Sequence, residues 1–145
     1  MQPLVICTID GVLSDNNNRL NLLKDGSLSE YHDRFKYDDA MITTIRMLKG
    51  FQRTGCDILI TDDRPIEYME QTENWLKENG IFFDYLYLPK PKEVGRHFKL
   101  KSVKDHIREN GGQIIAVICT DRQDEHYFRN HPHRPIVYSL SRGAV

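Results

Sequence analysis

The chain reads as a doubly wound, parallel α/β sheet of about five strands, formed by residues 1–145 as one domain. Short apolar runs alternate with segments whose apolar residues recur at helical spacing, and that alternation is the signature of strands joined by crossover helices. The clearest runs, Leu4–Cys7 and Ile114–Cys119, are continuously apolar rather than alternating, as strands covered on both faces must be. Three runs also end on Thr and Asp, at Thr8–Asp10, Thr61–Asp63 and Thr120–Asp121. Open sheets of this class bind ligands beyond the carboxyl ends of their strands, so a polar site is expected there.

Leu4–Cys7 supplies the first strand. From Ser14 to Asp38 the composition turns polar, with Asn16-Asn17-Asn18, Gly26, several serines and the scattered aromatics Tyr31, Phe35 and Tyr37. This stretch predicts a loop region with one short helix, too small to be a domain. Met41, Ile45 and Leu48 mark a helix whose exit is bracketed by Gly50 and Gly55, and Cys56–Thr61 supplies a second strand. Ile66, Met69, Glu73 and Leu76 mark the next helix, with Pro65 at its start and Gly80 as its stop. Phe82–Leu88 is strand-like and is broken by Pro89 and Pro91. Leu100, Val103 and Ile107 give a helix ending at Gly111-Gly112, and Ile114–Cys119 is the next strand. A short helix around Glu125–Arg129 and a last strand at Ile136–Leu140 complete the order.

The formal net charge is −1, which gives no global reason to expect a nucleic-acid or membrane surface. Cys7, Cys56 and Cys119 flank predicted strands and read as buried, reduced thiols, which suits a cytoplasmic protein. There is no basic-plus-apolar leader and no apolar run long enough to span a bilayer, so a soluble chain with no membrane partner is expected.

Four motifs in order carry a specific resemblance. Thr8-Ile9-Asp10-Gly11-Val12-Leu13-Ser14-Asp15, followed by Arg19-Leu20, resembles the "Asp-Ile-Asp-Gly-Val-Leu-(Ala/Ser)-Asp" strand and Arg-Leu pair of one group in the haloacid dehalogenase (HAD) superfamily. That group comprises the phosphatase domains of phage and bacterial polynucleotide kinase–phosphatases and related nucleotide phosphatases. Ile58–Pro65, followed by Thr72, Trp75-Leu76 and Gly80, resembles "apolar strand, Thr-Gly-Arg-Pro" and its helix. Lys99, or secondarily Lys101, matches a lysine that opens a helix, and Ile118–Arg122 matches "apolar strand, Asp-Asp-Arg". The resemblance covers essentially the whole chain and implies a HAD-like sheet with a minimal cap, or none, at residues 14–38.

The departures fall on the chemistry. Thr8 stands where the family has its nucleophilic, metal-ligating Asp, and a threonine phosphoester does not turn over as an acyl phosphate does. Thr120 replaces the first acid of the fourth motif. Asp62-Asp63 stands where a glycine lets the backbone approach phosphate. The resemblance implies general acid/base work for Asp10, charge neutralisation by Lys99, and phosphate or substrate contacts at Thr61, Asp62 and Arg64. It also implies Mg²⁺ held by Asp121 and by the backbone carbonyl of Asp10. With two carboxylates lost, the hard cation is expected to bind weakly or not at all. Asp62 has two readings: a substitute metal ligand, or a charge that repels a phosphate dianion by several kcal/mol in a dry site.

Blander readings accompany each. Asp10 alone would be a turn residue, Thr61 a cap, Lys99 a solvated helix lysine, and Arg64 and Arg122 local ion-pair partners. Residues 90–104 carry six Lys/Arg and one Glu. That run suits a nucleic-acid backbone, yet on this chain a solvated face is the preferred reading. His131-Pro132-His133 lacks the spacing and further ligands of a metal site. The leading expectation is therefore a degenerate phosphatase-like domain that acts as a phosphate- or nucleotide-binding or regulatory module. The alternatives are an active phosphomonoesterase of unusual chemistry, on nucleotides or polynucleotide ends, and a protein-interaction scaffold without a ligand.

Overall fold

The computed structural model describes residues 1–95 and 97–140. Five parallel strands form the central sheet: β1 (Pro3–Cys7), β4 (Asp57–Thr61), β5 (Tyr85–Tyr87), β6 (Gln113–Cys119) and β7 (Ile136–Ser139), in the spatial order β5-β4-β1-β6-β7. Helices α3 (Ile42–Arg53) and α4 (Met69–Glu78) lead from β1 outward through β4 to β5, and α5 (Phe98–Asn110) and α6 (Arg122–Arg129) build the other half. The winding direction thus reverses between β1 and β6, and the loops leaving these two strands diverge to open a crevice.

Alternation along the strands explains why the runs are wholly apolar. Val5 and Cys7 of β1, Ile58 and Ile60 of β4, and Ala116 and Ile118 of β6 pack with Ile45, Leu48, Trp75 and Leu76 of α3 and α4. The intervening Leu4, Ile6, Leu59, Val117 and Cys119 pack with Val103 of α5 and Phe128 of α6. Neither face of the three central strands is open to water, so both parities must be hydrophobic there. The three cysteines are free and buried.

Two elements differ from the sequence reading. The strand expected over Phe82–Leu88 is confined to Tyr85–Tyr87. Phe82 is exposed, and Asp84 meets β4 through its side chain, its carboxylate accepting from the Ile58 N–H at 2.8 Å. The segment 14–38 holds two helices rather than one, α1 (Leu20–Lys24) and α2 (Leu28–Asp33), flanked by 3-10 turns at Asn17–Arg19 and Arg34–Tyr37. Its ends are clipped by a two-residue antiparallel ladder, β2 (Ser14–Asp15) against β3 (Asp39–Ala40).

The turn after β1 is tight: the N–H groups of Val12, Leu13 and Ser14 all point to the Ile9 carbonyl, at 3.0, 2.9 and 3.1 Å. It requires Gly11 at φ 78°, and a Cβ there would meet Thr120 Cγ2 at 3.4 Å. Gly11→Ala is therefore expected to lose about 1–2 kcal/mol, because the left-handed backbone is costly for any other L-residue. Urea melts should show a lower midpoint with an unchanged slope; an unchanged midpoint would refute the strain.

Candidate functional site

Thr8, Asp10, Asp62, Lys99, Thr120 and Asp121 line one cleft of about 580 Å³ at the carboxyl ends of β1, β4 and β6. The insert roofs it with Tyr31 and His32, and Leu23, Leu28 and Val94 form an apolar rim. Thr8 is buried, its N–H donating to the Ile118 carbonyl at 3.3 Å.

Asp10 is gripped from three sides. Its Oδ1 accepts from Arg19 Nη2 at 2.6 Å and from Arg64 Nη2 at 2.5 Å, and its Oδ2 accepts from the Tyr31 hydroxyl at 2.9 Å. Both guanidinium groups are only 1% exposed. Arg19 also binds Asp38, with Nη2 2.7 Å from Oδ2, and Asn16 Nδ2 donates to the Tyr31 hydroxyl at 2.9 Å.

Asp62 does not point away into solvent. Its Oδ1 accepts from the backbone N–H of Ile9 (3.2 Å) and of Asp10 (3.4 Å), and its Oδ2 from the N–H and Nε of Arg64 (3.3 and 3.1 Å). Burial by itself would push this carboxyl up; Arg64, then Lys99, and the backbone N–H of Asp10 hold it below the ordinary carboxylate range. Thr61 is turned to another partner. Its hydroxyl lies 2.8 Å from Ser102 Oγ, which donates its own proton to the Lys99 carbonyl, so the Thr61 proton goes to Ser102.

Lys99, from the first turn of α5, is the lysine that enters the cleft. Its Nζ is 2.6 Å from Asp124, 3.5 Å from Asp63 and 3.9 Å from Asp121. Burial would lower this ammonium, but Asp63 and Asp124 more than offset it and raise it above the ordinary lysine value. Burial pushes the Asp124 carboxyl up despite Lys99. Lys101 faces outward and pairs with Asp105 and Glu93. Asp121 caps α6, its Oδ1 accepting from the N–H groups of Gln123 (2.7 Å) and Asp124 (3.3 Å).

This arrangement does not suit a divalent cation. Thr8 and Thr120 stand in place of two carboxylates, Asp121 Oδ1 is committed to a helix terminus, and the ammonium of Lys99 lies 3.9 Å from Asp121 Oδ2. Among the described residues no group of three or more His, Cys, Asp or Glu side chains is placed to hold a metal ion. Both Nδ1 atoms of the 131–133 histidine pair accept backbone N–H groups, of His133 and Ile114 respectively. In the basic run, Lys99 and Lys101 are paired internally and Lys104 lies over the Tyr127 ring; Arg96 lies outside the described residues.

Several participants carried weak sequence signals. Asp124 lies one helical turn beyond Asp121, a spacing that shares a face. Arg19 stands out in the sequence only as half of a motif pair, while Tyr31, His32, Asp38 and Ser102 carry no signal of a site.

His32 is 8% exposed, its Nδ1 has no hydrogen-bond partner among the described residues, and burial followed by Arg64 pushes the imidazole below its ordinary value. Burial pushes His106 and His131 the same way. A group depressed in the folded state contributes stability that is complete above its unfolded pKa and is lost as pH falls through the folded value. Stability should therefore fall from about pH 6.5 downward, and His32→Gln should flatten that limb; a limb identical in the variant would rule His32 out.

The fold is shared with solved structures, an acid phosphatase among them. Two structures of the Pnkp1/Rnl/Hen1 complex, one described as an RNA repair complex, superpose on 96% and 97% of this chain, with TM-scores of 0.71 and 0.73 at 20% and 19% identity. The class C acid phosphatase from Bacillus anthracis, with tungstate bound, superposes on 95% with a TM-score of 0.70 at 16% identity. The chain spans 47%, 44% and 66% of those chains, respectively. No family model and no curated protein matches the sequence. Among the described residues no helix is long and apolar enough to cross a membrane.

Proposed function

We propose that this phosphatase-like domain has little or no hydrolytic activity and acts as a binding or regulatory module, with a phosphorylated small molecule or a nucleic-acid end as the ligand class. The observation that carries this reading is Asp10. It stands where the resembling family keeps its general acid/base, and both its oxygens are held by Arg19, Arg64 and Tyr31. Beside it Thr8 offers a hydroxyl where acyl-phosphate chemistry needs a carboxylate. Neither the attacking group nor a freely presented acid is then available. The ligand class rests on the likeness to phosphatase and RNA-repair structures, and a protein partner is compatible with it.

The test is hydrolysis of nucleoside monophosphates and of 3′-phosphorylated oligonucleotides by the purified chain, with Mg²⁺ supplied. Turnover is expected near background, since loss of an essential nucleophile costs roughly 10⁴–10⁶ in rate. Thr8→Asp alone is expected to change little, because Asp10 and Asp62 keep their partners. Robust turnover by the unmodified chain, abolished by Asp10→Asn, would establish an active phosphatase instead.

A further inference from the structure

We infer that Asp62 is a resident ligand: its carboxylate fills the oxyanion cradle at the end of β1 and closes it to external tetrahedral oxyanions until Asp62 is displaced. This deepens the proposed function and rests on reading the cleft as a phosphate-type site.

The cradle is made of donors from two separate loops. The Ile9 and Asp10 N–H groups come from the turn after β1, and the N–H and Nε of Arg64 from the loop after β4. Four N–H donors converging on one place make an anion site, whatever anion fills it. Here it is filled by a side chain 8% exposed and fixed through both oxygens. The neighbouring hydroxyl that could have joined the cradle, Thr61, is satisfied by Ser102. The donors of this cradle and the Thr61 hydroxyl are thus engaged within the chain.

An incoming phosphate has to replace both oxygens of Asp62 and leave that carboxylate without its amides beside a second anion. A tethered occupant also competes at a high effective concentration, which no dilution removes. The device is therefore a self-occupied site. Whatever draws the 62–64 loop outward exposes the amides of Ile9 and Asp10, and whatever lets it return expels the anion.

The experiment titrates the full chain with tungstate and with inorganic phosphate, following the backbone amide resonances of Ile9 and Asp10 together with calorimetry. In the wild type these two resonances should stay in place through the millimolar range. In Asp62→Gly they should shift, with tungstate affinity higher by on the order of 10²-fold. Asp62→Asn, which keeps the shape without the charge, should fall between the two. Wild-type resonances that shift at the affinity of Asp62→Gly would overturn the inference, as would folded variants whose amides stay unmoved. If neither variant folds, the wild-type titration alone decides, a shift refuting the plug and its absence supporting it. Wild-type binding without turnover would sink the plug and leave the non-catalytic reading intact, whereas wild-type turnover would sink that reading.

Discussion

Arg19→Met is expected to destabilise the protein by about 3–5 kcal/mol, the cost of breaking a buried ion pair while leaving its carboxylates behind. Arg19 is 1% exposed and Asp38 4%. Its Nε lies 3.0 Å from each Asp38 oxygen, its Nη1 donates to the Tyr31 carbonyl at 3.1 Å, and its guanidinium stacks over the Tyr31 ring at 4.2 Å. Asp10 would keep Arg64, but Asp38 would lose the one ion-pair partner it has among the described residues. Against a typical total of roughly 5–15 kcal/mol, the variant would stand near unfolding. Burial already pushes the Asp38 carboxyl up while Arg19 pulls it down, so the penalty should shrink as pH falls and Asp38 takes up a proton. Urea denaturation of Arg19→Met and of Arg19→Met with Asp38→Asn checks the cause. The double variant should recover part of the loss, and one no more stable than the single would assign the effect to packing.

Phe35→Ala should cost about as much, roughly 3–5 kcal/mol for a large buried aromatic. The ring is 1% exposed, lies 3.6 Å from the Arg64 guanidinium carbon and packs 4.9 Å from the Trp75 ring. It joins the insert to α4 and covers the arginine that holds both Asp10 and Asp62. Phe35→Leu keeps most of the volume and removes only the π face, so its smaller loss, up to about 2 kcal/mol for a desolvated cation–π contact, separates the two contributions. Thermal denaturation measures both. A Phe35→Ala loss below about 1 kcal/mol would mean that the insert is not anchored through this ring.

The sheet was legible because its physics is local. Two covered faces force unbroken apolar runs, and Leu4–Cys7, Ile58–Ile60 and Ile114–Cys119 have no other use. The Thr and Asp residues at strand ends likewise announced where polar groups would gather. What could not be read depends on distant partners. Helices of five and six residues, α1 and α2, carry too few turns for a period, and Arg19 and Tyr31 reach Asp10 across the fold. Nothing in residues 61–64 tells whether Asp62 faces water or turns back to the amides of Ile9 and Asp10. Nor does it tell that Thr61 would find Ser102 in α5, a partner 41 positions away. Phe82 has a strand preference of its own, while its surroundings leave it exposed outside β5.

The clip formed by Ser14–Asp15 and Asp39–Ala40 bears on how such a chain can grow. Because the two ends of the insert are stitched together at the base, residues added between them lengthen a loop that is already closed. The entropy of a closed loop rises only logarithmically, about 0.6 kcal/mol for each doubling of length. The segment over the cleft is therefore where additional chain costs least, provided Arg19, Tyr31 and Phe35 keep their anchors. A larger lid could be accommodated there without disturbing the sheet, and the roof would change long before the floor did.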